Sequence, residues 1–280
     1  MKFGYLLVIA KNKKIDYLRL AYALALSIKI TQKPGYDKVA LVTDDTESVK
    51  QLRSPWVFDR VIEWNEKQFW DGRSWMDELT PWKNTICLDS DMLFFRDYSH
   101  WVEYFLKSET ELFVPSTVYT YRGNTVVDDY YRKAFVFNDL PNLYSMYTYF
   151  KSDSELSRSF FKLNRHIVSN QDEFKNLYLQ KHKPKIIGTD ESFALSSKIL
   201  GIQDEITYQL DFPKIVHLKP MIQRWPWPAD TVSDHVGFYF DLMGQLKIGN
   251  FQQQNIVHYN EKTFITEEIV SILENIIWKK

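Results

Sequence analysis

A chain of 280 residues with 45% apolar and 16% aromatic side chains can bury a sizeable core, as one large domain or two small ones. Its 35 Lys and Arg against 36 Asp and Glu leave a net charge of −1, which argues against a nucleic-acid-binding surface. The lone cysteine excludes an internal disulfide, and no apolar run approaches the length of a membrane span. Met1–Ala10 runs straight into Lys11, Lys13 and Lys14 with no small-residue cleavage site, so it reads as a first core strand rather than a signal peptide and a cytoplasmic location is expected.

Phe3–Ala10 is predicted as a buried strand and Lys11–Lys14 as a solvated loop. From Asp16 the apolar positions Leu18, Ala21, Tyr22, Ala25 and Ile28 recur at helical spacing, and Pro34-Gly35 ends the segment. Lys38–Thr43 is a second strand, so the opening is a βαβ unit of a parallel sheet. Val57–Trp64 is a third strand candidate, and Gln68–Leu79 a helix stopped before Pro81. Thr85–Leu88 is a further buried strand. Tyr98–Lys107 reads as helix and Glu111–Val114 as a short strand, while Ser116–Asn138, rich in Tyr, Asp and Arg, reads as an extended excursion over a cleft. Helices are predicted over Asn142–Phe150, Ser154–Ser169, Gln171–Gln180 and Thr189–Leu200, then a strand over Lys214–Leu218. Trp225-Pro226-Trp227-Pro228 is a rigid aromatic loop. Tyr239, Leu246–Ile248 and Ile256–Tyr259 suggest an antiparallel hairpin set broken at Gly244 and Gly249-Asn250, and Thr266–Trp278 a closing helix. With no internal repeat or low-complexity linker, one α/β domain over residues 1–280 is expected, its first 95 residues a nucleotide-binding half and the rest an acceptor half with an elaborated C-terminal third.

Chemistry concentrates at Asp89-Ser90-Asp91, where a buried strand stops at two carboxylates before Met92–Phe95 returns to the core. In open α/β sheets the C-terminal strand edge is where ligands bind. Two such carboxylates repel unless a cation lies between them, and a hard divalent ion that keeps positions open for phosphates suits them. A turn is the plain alternative, since Asp-Ser-Asp is good turn chemistry, but the flanking apolar runs would leave those charges uncompensated.

On these residues the chain resembles the GT-A fold glycosyltransferases, most closely the glycogenin and lipopolysaccharide galactosyltransferase group, family 8. The resemblance covers about the first hundred residues and two later islands. Ala10 ends the opening strand and Asn12 and Tyr17 follow it, where the family seats uridine. Arg73, on the helix 16 residues before Asp89, matches a basic residue facing the nucleotide-sugar. Leu88-Asp89-Ser90-Asp91 matches the metal-binding Asp-x-Asp, and Gly188-Thr189-Asp190-Glu191 the acidic pair beside sugar and acceptor. The family's third metal ligand is a His in His-x-x-Gly-x-x-Lys-Pro-Trp. His217, with Trp225 eight residues on, fits better than its rival His258, near Lys262, although Pro220 and Gln223 replace the glycine and lysine. The usual Asn-Ser-Gly segment is replaced; Asn142–Ser145 is nearest.

The resemblance implies a GT-A (Rossmann-like), mostly parallel sheet flanked by helices. It also implies metal-dependent transfer of a hexose from UDP-glucose or UDP-galactose to a glycan or other hydroxyl acceptor, with retention. Manganese or magnesium would be held by Asp89, Asp91 and His217. Ala10, Asn12, Tyr17, Arg73, Asp89, Ser90 and Lys219 would bind the donor, and Asp190 and Glu191 would serve sugar and acceptor. Plainer readings stand beside these: Asp190 and Glu191 suit any helix's first turn, and a strand-end His is commonly structural. Two other functions share the pattern. A haloacid-dehalogenase-type phosphatase also uses a strand followed by Asp-x-Asp, but wants Thr or Val where Leu93 stands and places the motif on its first strand. A non-catalytic carbohydrate-binding protein could keep the fold without turnover.

Overall fold

The computed structural model describes residues 2–64, 69–126, 131–207, 214–223 and 231–280. The first half contributes β1 (Phe3–Val8), α1 (Tyr17–Thr31), β2 (Val39–Thr43), α2 (Thr46–Lys50), β3 (Arg60–Glu63), α3 (Met76–Leu79), β4 (Asn84–Leu88), β5 (Met92–Leu93), α4 (Ser99–Lys107) and β6 (Leu112–Phe113). There follow α5 (Lys133–Asn138), β7 (Tyr147–Lys151), α6 (Glu155–Ser169), α7 (Gln171–Tyr178), α8 (Thr189–Leu200) and α9 (Gln203–Ile206). The last part holds β8 (Ile215–His217), β9 (Phe238–Phe240), β10 (Leu246–Ile248), β11 (Phe251–Gln252), β12 (Ile256–His258) and α10 (Glu267–Lys279).

The central sheet has six strands in the order β3-β2-β1-β4-β7-β6. β3, β2, β1 and β4 run parallel, and β7 alone is antiparallel to both of its neighbours. This is the expected α/β architecture with a mostly parallel sheet. The inner parallel strands are buried because both faces are covered, with all five residues of β2 and of β4 buried, whereas the edge strand β3 carries Arg60 and Glu63 and is mostly exposed. α1 closes one face with Leu20–Leu26 and Ile28 buried, and Asp16 caps it by accepting from Arg19 N–H at 2.9 Å. α10 lies outside α1, where buried Glu274 accepts from Tyr22 Oη at 2.6 Å. On the other face α6 and α8 pack aromatic rings together, with Phe160 and Phe193 edge to face at 5.0 Å. Gly4 on β1 is a contact residue: a Cβ there would come within 2.4 Å of the Trp82 indole.

Four expectations are corrected. Asn142–Phe150, read as helix, ends in strand β7, because Tyr147-Thr148-Tyr149-Phe150 is an aromatic and β-branched run that pairs with β4. Gln68–Leu79 is a 3-10 segment, Phe69–Trp75, followed by the short α3. The excursion Ser116–Asn138 carries α5, and Tyr119 bridges both Thr125 and Val216. Only β9, β10 and β11 form the antiparallel set; β12 leaves it and inserts between β5 and β8, antiparallel to the first and parallel to the second. The Trp225–Pro228 loop lies outside the described residues.

Candidate functional site

Strand pairing positions the site. β4 ends at Leu88, and Asp89 N–H donates to Met146 O at 3.0 Å, holding the Asp-x-Asp turn against the start of β7. The chain returns as β5, whose Met92 is in register with His258 of β12, and His258 is in register with His217 of β8. Tyr259 N–H donates to Asp91 O at 3.0 Å and fixes the register. Three short strands thus bring two histidines under two aspartates.

The imidazoles are not equivalent. His258 Nε2 is 3.2 Å from Asp91 Oδ2 and 3.5 Å from Asp89 Oδ2. His217 lies behind it, its Nδ1 at 3.0 Å from His258 Nδ1, and its buried Nε2 has no hydrogen-bond partner among the described residues. Burial, then the neighbouring His258, push His217 well below the usual imidazole range, so it is neutral. Asp89, Asp91 and His258 offer ligand atoms all within 4.8 Å of one another. Two hard oxygens and one imidazole nitrogen in that space fit a divalent cation.

Positive side chains already face this point. Arg73 pairs with Asp89, and Lys262 with Asp91. Burial alone would raise the Asp91 carboxyl, but His258 and then Lys262 hold it well below the usual carboxylate range. Asp91, only 3% exposed, is therefore ionised inside the protein.

Asp190, at the start of α8, sits in a second cluster. Its carboxylate accepts from Ser145 N–H at 2.8 Å, Ser145 Oγ at 2.6 Å and Arg132 Nη2 at 2.9 Å. Arg132 is buried between the Phe135 and Tyr144 rings and also donates to Asn142 and to Leu143 O. Burial would raise the Asp190 pKa; Arg132 and Ser145 outweigh it and lower it. Arg73 donates to Ser145 Oγ at 3.1 Å, so Arg132, Asp190, Ser145, Arg73 and Asp89 form one continuous polar chain. Glu191 turns back to the backbone of Gly188 and of its own residue, and burial with Asp190 nearby raises its pKa.

Two cavities meet at the aspartates. One, of about 410 Å³, is lined by Ala10, Asn12, Tyr17, Arg73, Asp89 and Ser90. The other, of about 730 Å³, is lined by Asp190, Glu191, His217, Lys219 and His258. Arg73, Asp89, Asp91 and Lys262 belong to both. Ala10, Asn12, Tyr17, Arg73, Asp89, Ser90, Asp91, Asp190, Glu191, His217, Lys219 and His258 therefore each line one or both of two abutting cavities, while Trp225 lies outside the described residues. Asn12 Oδ1 is spent on its own loop, accepting from Lys14 N–H at 2.8 Å and Ile15 N–H at 3.1 Å. Sequence reasoning missed Arg132, which stands in no motif; Ser145 closes the segment noted as nearest to Asn-Ser-Gly, and Lys262 was visible only as a neighbour of His258.

The sequence matches no family model and no curated protein. Among solved structures the chain is similar to mouse xyloside xylosyltransferase 1 in its apo form, with 14% identity, a TM-score of 0.56, and coverage of 94% of this chain and 99% of that one. It is also similar to the apo form of the glycosyltransferase GlyE of Streptococcus pneumoniae TIGR4, with 12% identity, a TM-score of 0.52, and coverage of 100% of this chain and 64% of that one. The chain thus has a glycosyltransferase fold of the GT-A-like kind. Among the described residues no helix is long and apolar enough to cross a membrane.

Proposed function

We propose that this protein is a metal-dependent glycosyltransferase that moves a hexose from a nucleotide-diphosphate sugar to a hydroxyl acceptor, with residues 1–280 as one catalytic unit. The observation that carries the reading is the cluster of Asp89, Asp91 and His258 where the two cavities meet. In this reading His258 takes the ligand position that the sequence favoured for His217, because His258 alone of the two reaches both carboxylates. Manganese or magnesium held there would neutralise the diphosphate as the glycosidic bond breaks.

The chain's own groups divide the remaining work. Ala10, Asn12 and Tyr17 line the smaller cavity and would seat the base of a UDP-sugar, beside residues 1–95 as the nucleotide half. Arg73 and Lys262, paired with the aspartates here, would turn to the phosphates once a metal takes up the carboxylate charge. Asp190, ionised and clamped by Arg132 and Ser145, would accept hydrogen bonds from hydroxyls of the transferred sugar and orient the acceptor. Glu191 and Lys219 would complete that wall. UDP-glucose or UDP-galactose as donor, membership of family 8 and retention of configuration follow from the sequence resemblance. The phosphatase reading loses ground because the fold is one shared with glycosyltransferases.

The test is thermal stability with UDP-, GDP-, ADP- and CMP-sugars, each with and without manganese, because a ligand that binds the native state raises the melting temperature. A metal-dependent rise with a UDP-sugar, absent in Asp91→Asn, is the expected result. An equal rise in Asp91→Asn would sink the metal-bridged reading, and donor binding without UDP release in the presence of acceptors would favour the non-catalytic alternative.

A further inference from the structure

The large cavity opens beside a surface that donor chemistry does not require. α5, the end of α7 and residues 181–186 are tied together by hydrogen bonds. Asn138 Nδ2 donates to His182 O at 3.2 Å, Lys181 N–H to Asn138 Oδ1 at 3.0 Å, and Lys183 Nζ to Asn176 Oδ1 at 2.8 Å. The Phe137 and His182 rings lie 5.9 Å apart. Lys133, His182 and Pro184 of this surface line the cavity that holds Asp190, so the surface is continuous with the mouth.

Its composition is unusual for a solvated face. Phe137 is 51% exposed and Ile186 66%, and Val136, Leu177 and Tyr178 are exposed with them. Among these stand exposed Lys133, Lys181, Lys183 and Lys185. Of the nearby acids Asp139 pairs with Lys198 and Asp172 with Lys175, and exposed Glu173 of α7 stands against four lysines. A chain of net charge −1 thus gathers cations and apolar tips at one rim. Lysines attract anionic headgroups while their stems lie along apolar surface, and aromatic and aliphatic tips enter the headgroup boundary. A soluble polyanion would use the lysines but has no use for the exposed apolar side chains.

We propose that this rim docks on an anionic lipid surface and holds the mouth of the larger cavity against it, so that the acceptor is borne by the membrane. The acceptor part rests on the glycosyl-transfer reading; the docking does not. The test is flotation of the purified protein with vesicles of phosphatidylcholine alone or mixed with phosphatidylglycerol. Binding is expected only to the anionic vesicles, and salt should weaken it. Lys181→Glu/Lys183→Glu/Lys185→Glu should weaken binding by about a hundredfold. Phe137→Ser/Ile186→Ser should also lose vesicle binding, and far-ultraviolet circular dichroism checks that both variants fold. The proposal is overturned if the wild type fails to float with anionic vesicles, or if the triple variant floats as well as wild type. It is equally overturned if polyphosphate displaces the protein while Phe137→Ser/Ile186→Ser floats unchanged, since the rim would then read phosphate in solution. No nucleotide-sugar enters the experiment, so its failure leaves the donor reading standing, and the reverse holds.

Discussion

Replacing His258 and His217 one at a time asks which imidazole the site depends on. His258 Nε2 stands 3.2 Å from Asp91 and 3.5 Å from Asp89, whereas His217 meets His258 through Nδ1 at 3.0 Å. If His258 ligates through Nε2, its Nδ1 carries the proton and donates to His217, which thereby orients the ring as a positioning residue. His217→Ala removes that hydrogen bond and leaves a buried N–H bare. Such a loss costs about 1–3 kcal/mol, or about 5- to 150-fold in affinity. Removing the partner of a ligating imidazole costs about 10- to 100-fold in metal affinity, so the two routes to the magnitude agree. His258→Ala removes one of three donors outright and should exceed that loss. The assay is manganese titration of the purified protein without nucleotide, with free ion read by electron paramagnetic resonance. His217→Gln, which restores a hydrogen-bonding group, should recover part of the affinity. If His258→Ala binds manganese like wild type while His217→Ala does not bind it, the assignment of the third ligand fails.

Two further outcomes follow from the charge arrangement. Lys262→Ala should raise manganese affinity about fivefold in the absence of nucleotide, the equivalent of about 1 kcal/mol of competing ion pair, because its ammonium occupies Asp91. It should weaken UDP-sugar binding at saturating manganese, and unchanged values in both titrations would show that Lys262 serves neither role. Asp59 is half-buried; burial would raise its pKa, but Lys29 and Lys38, each at 2.8 Å, and Val39 N–H hold it below the carboxylate value. Because the folded pKa is the lower one, its stabilisation is complete above the unfolded carboxylate range and is lost as pH falls through the folded value. Asp59→Asn should cost about 3 kcal/mol at neutral pH, the lower end for breaking a buried pair, and flatten the acid limb of urea midpoints measured against pH. An acid limb as steep as wild type would refute the role given to Asp59.

The first half of the fold and the Asp-x-Asp turn could be read from local pattern because β1, α1, β2 and β4 announce themselves by run length and period. α8 fell on its predicted span, with Gly188 before it and Gly201 in the left-handed region after it. β7 escaped because a strand buried on both faces carries no alternation, and a short apolar run then fits helix equally well. The third member of the cluster escaped for a different reason. Nothing near Ile256-Val257-His258 states that it pairs with Met92-Leu93 rather than with the neighbouring hairpins. Arg132 was hidden because its role depends on Asn142, Leu143 and Asp190 together, partners that no local spacing brings to mind.

The insertion of β12 between β5 and β8 also sets an order of assembly. His258 and Asp91 are 167 residues apart in the chain, so the cluster is a contact of long sequence separation. Contacts of that kind close slowly, since the intervening loop must be drawn in before they reward it. In synthesis β4 and the Asp89–Asp91 turn that follows it are made long before the histidine that completes the cluster. During that interval the two aspartates lack His258 and Lys262, and the edge of β5 lacks the strand that covers it. A nascent or truncated chain ending before Ile256 would hold the central sheet strands yet present an open β5 edge beside an Asp91 without His258 and Lys262, while Asp89 keeps Arg73.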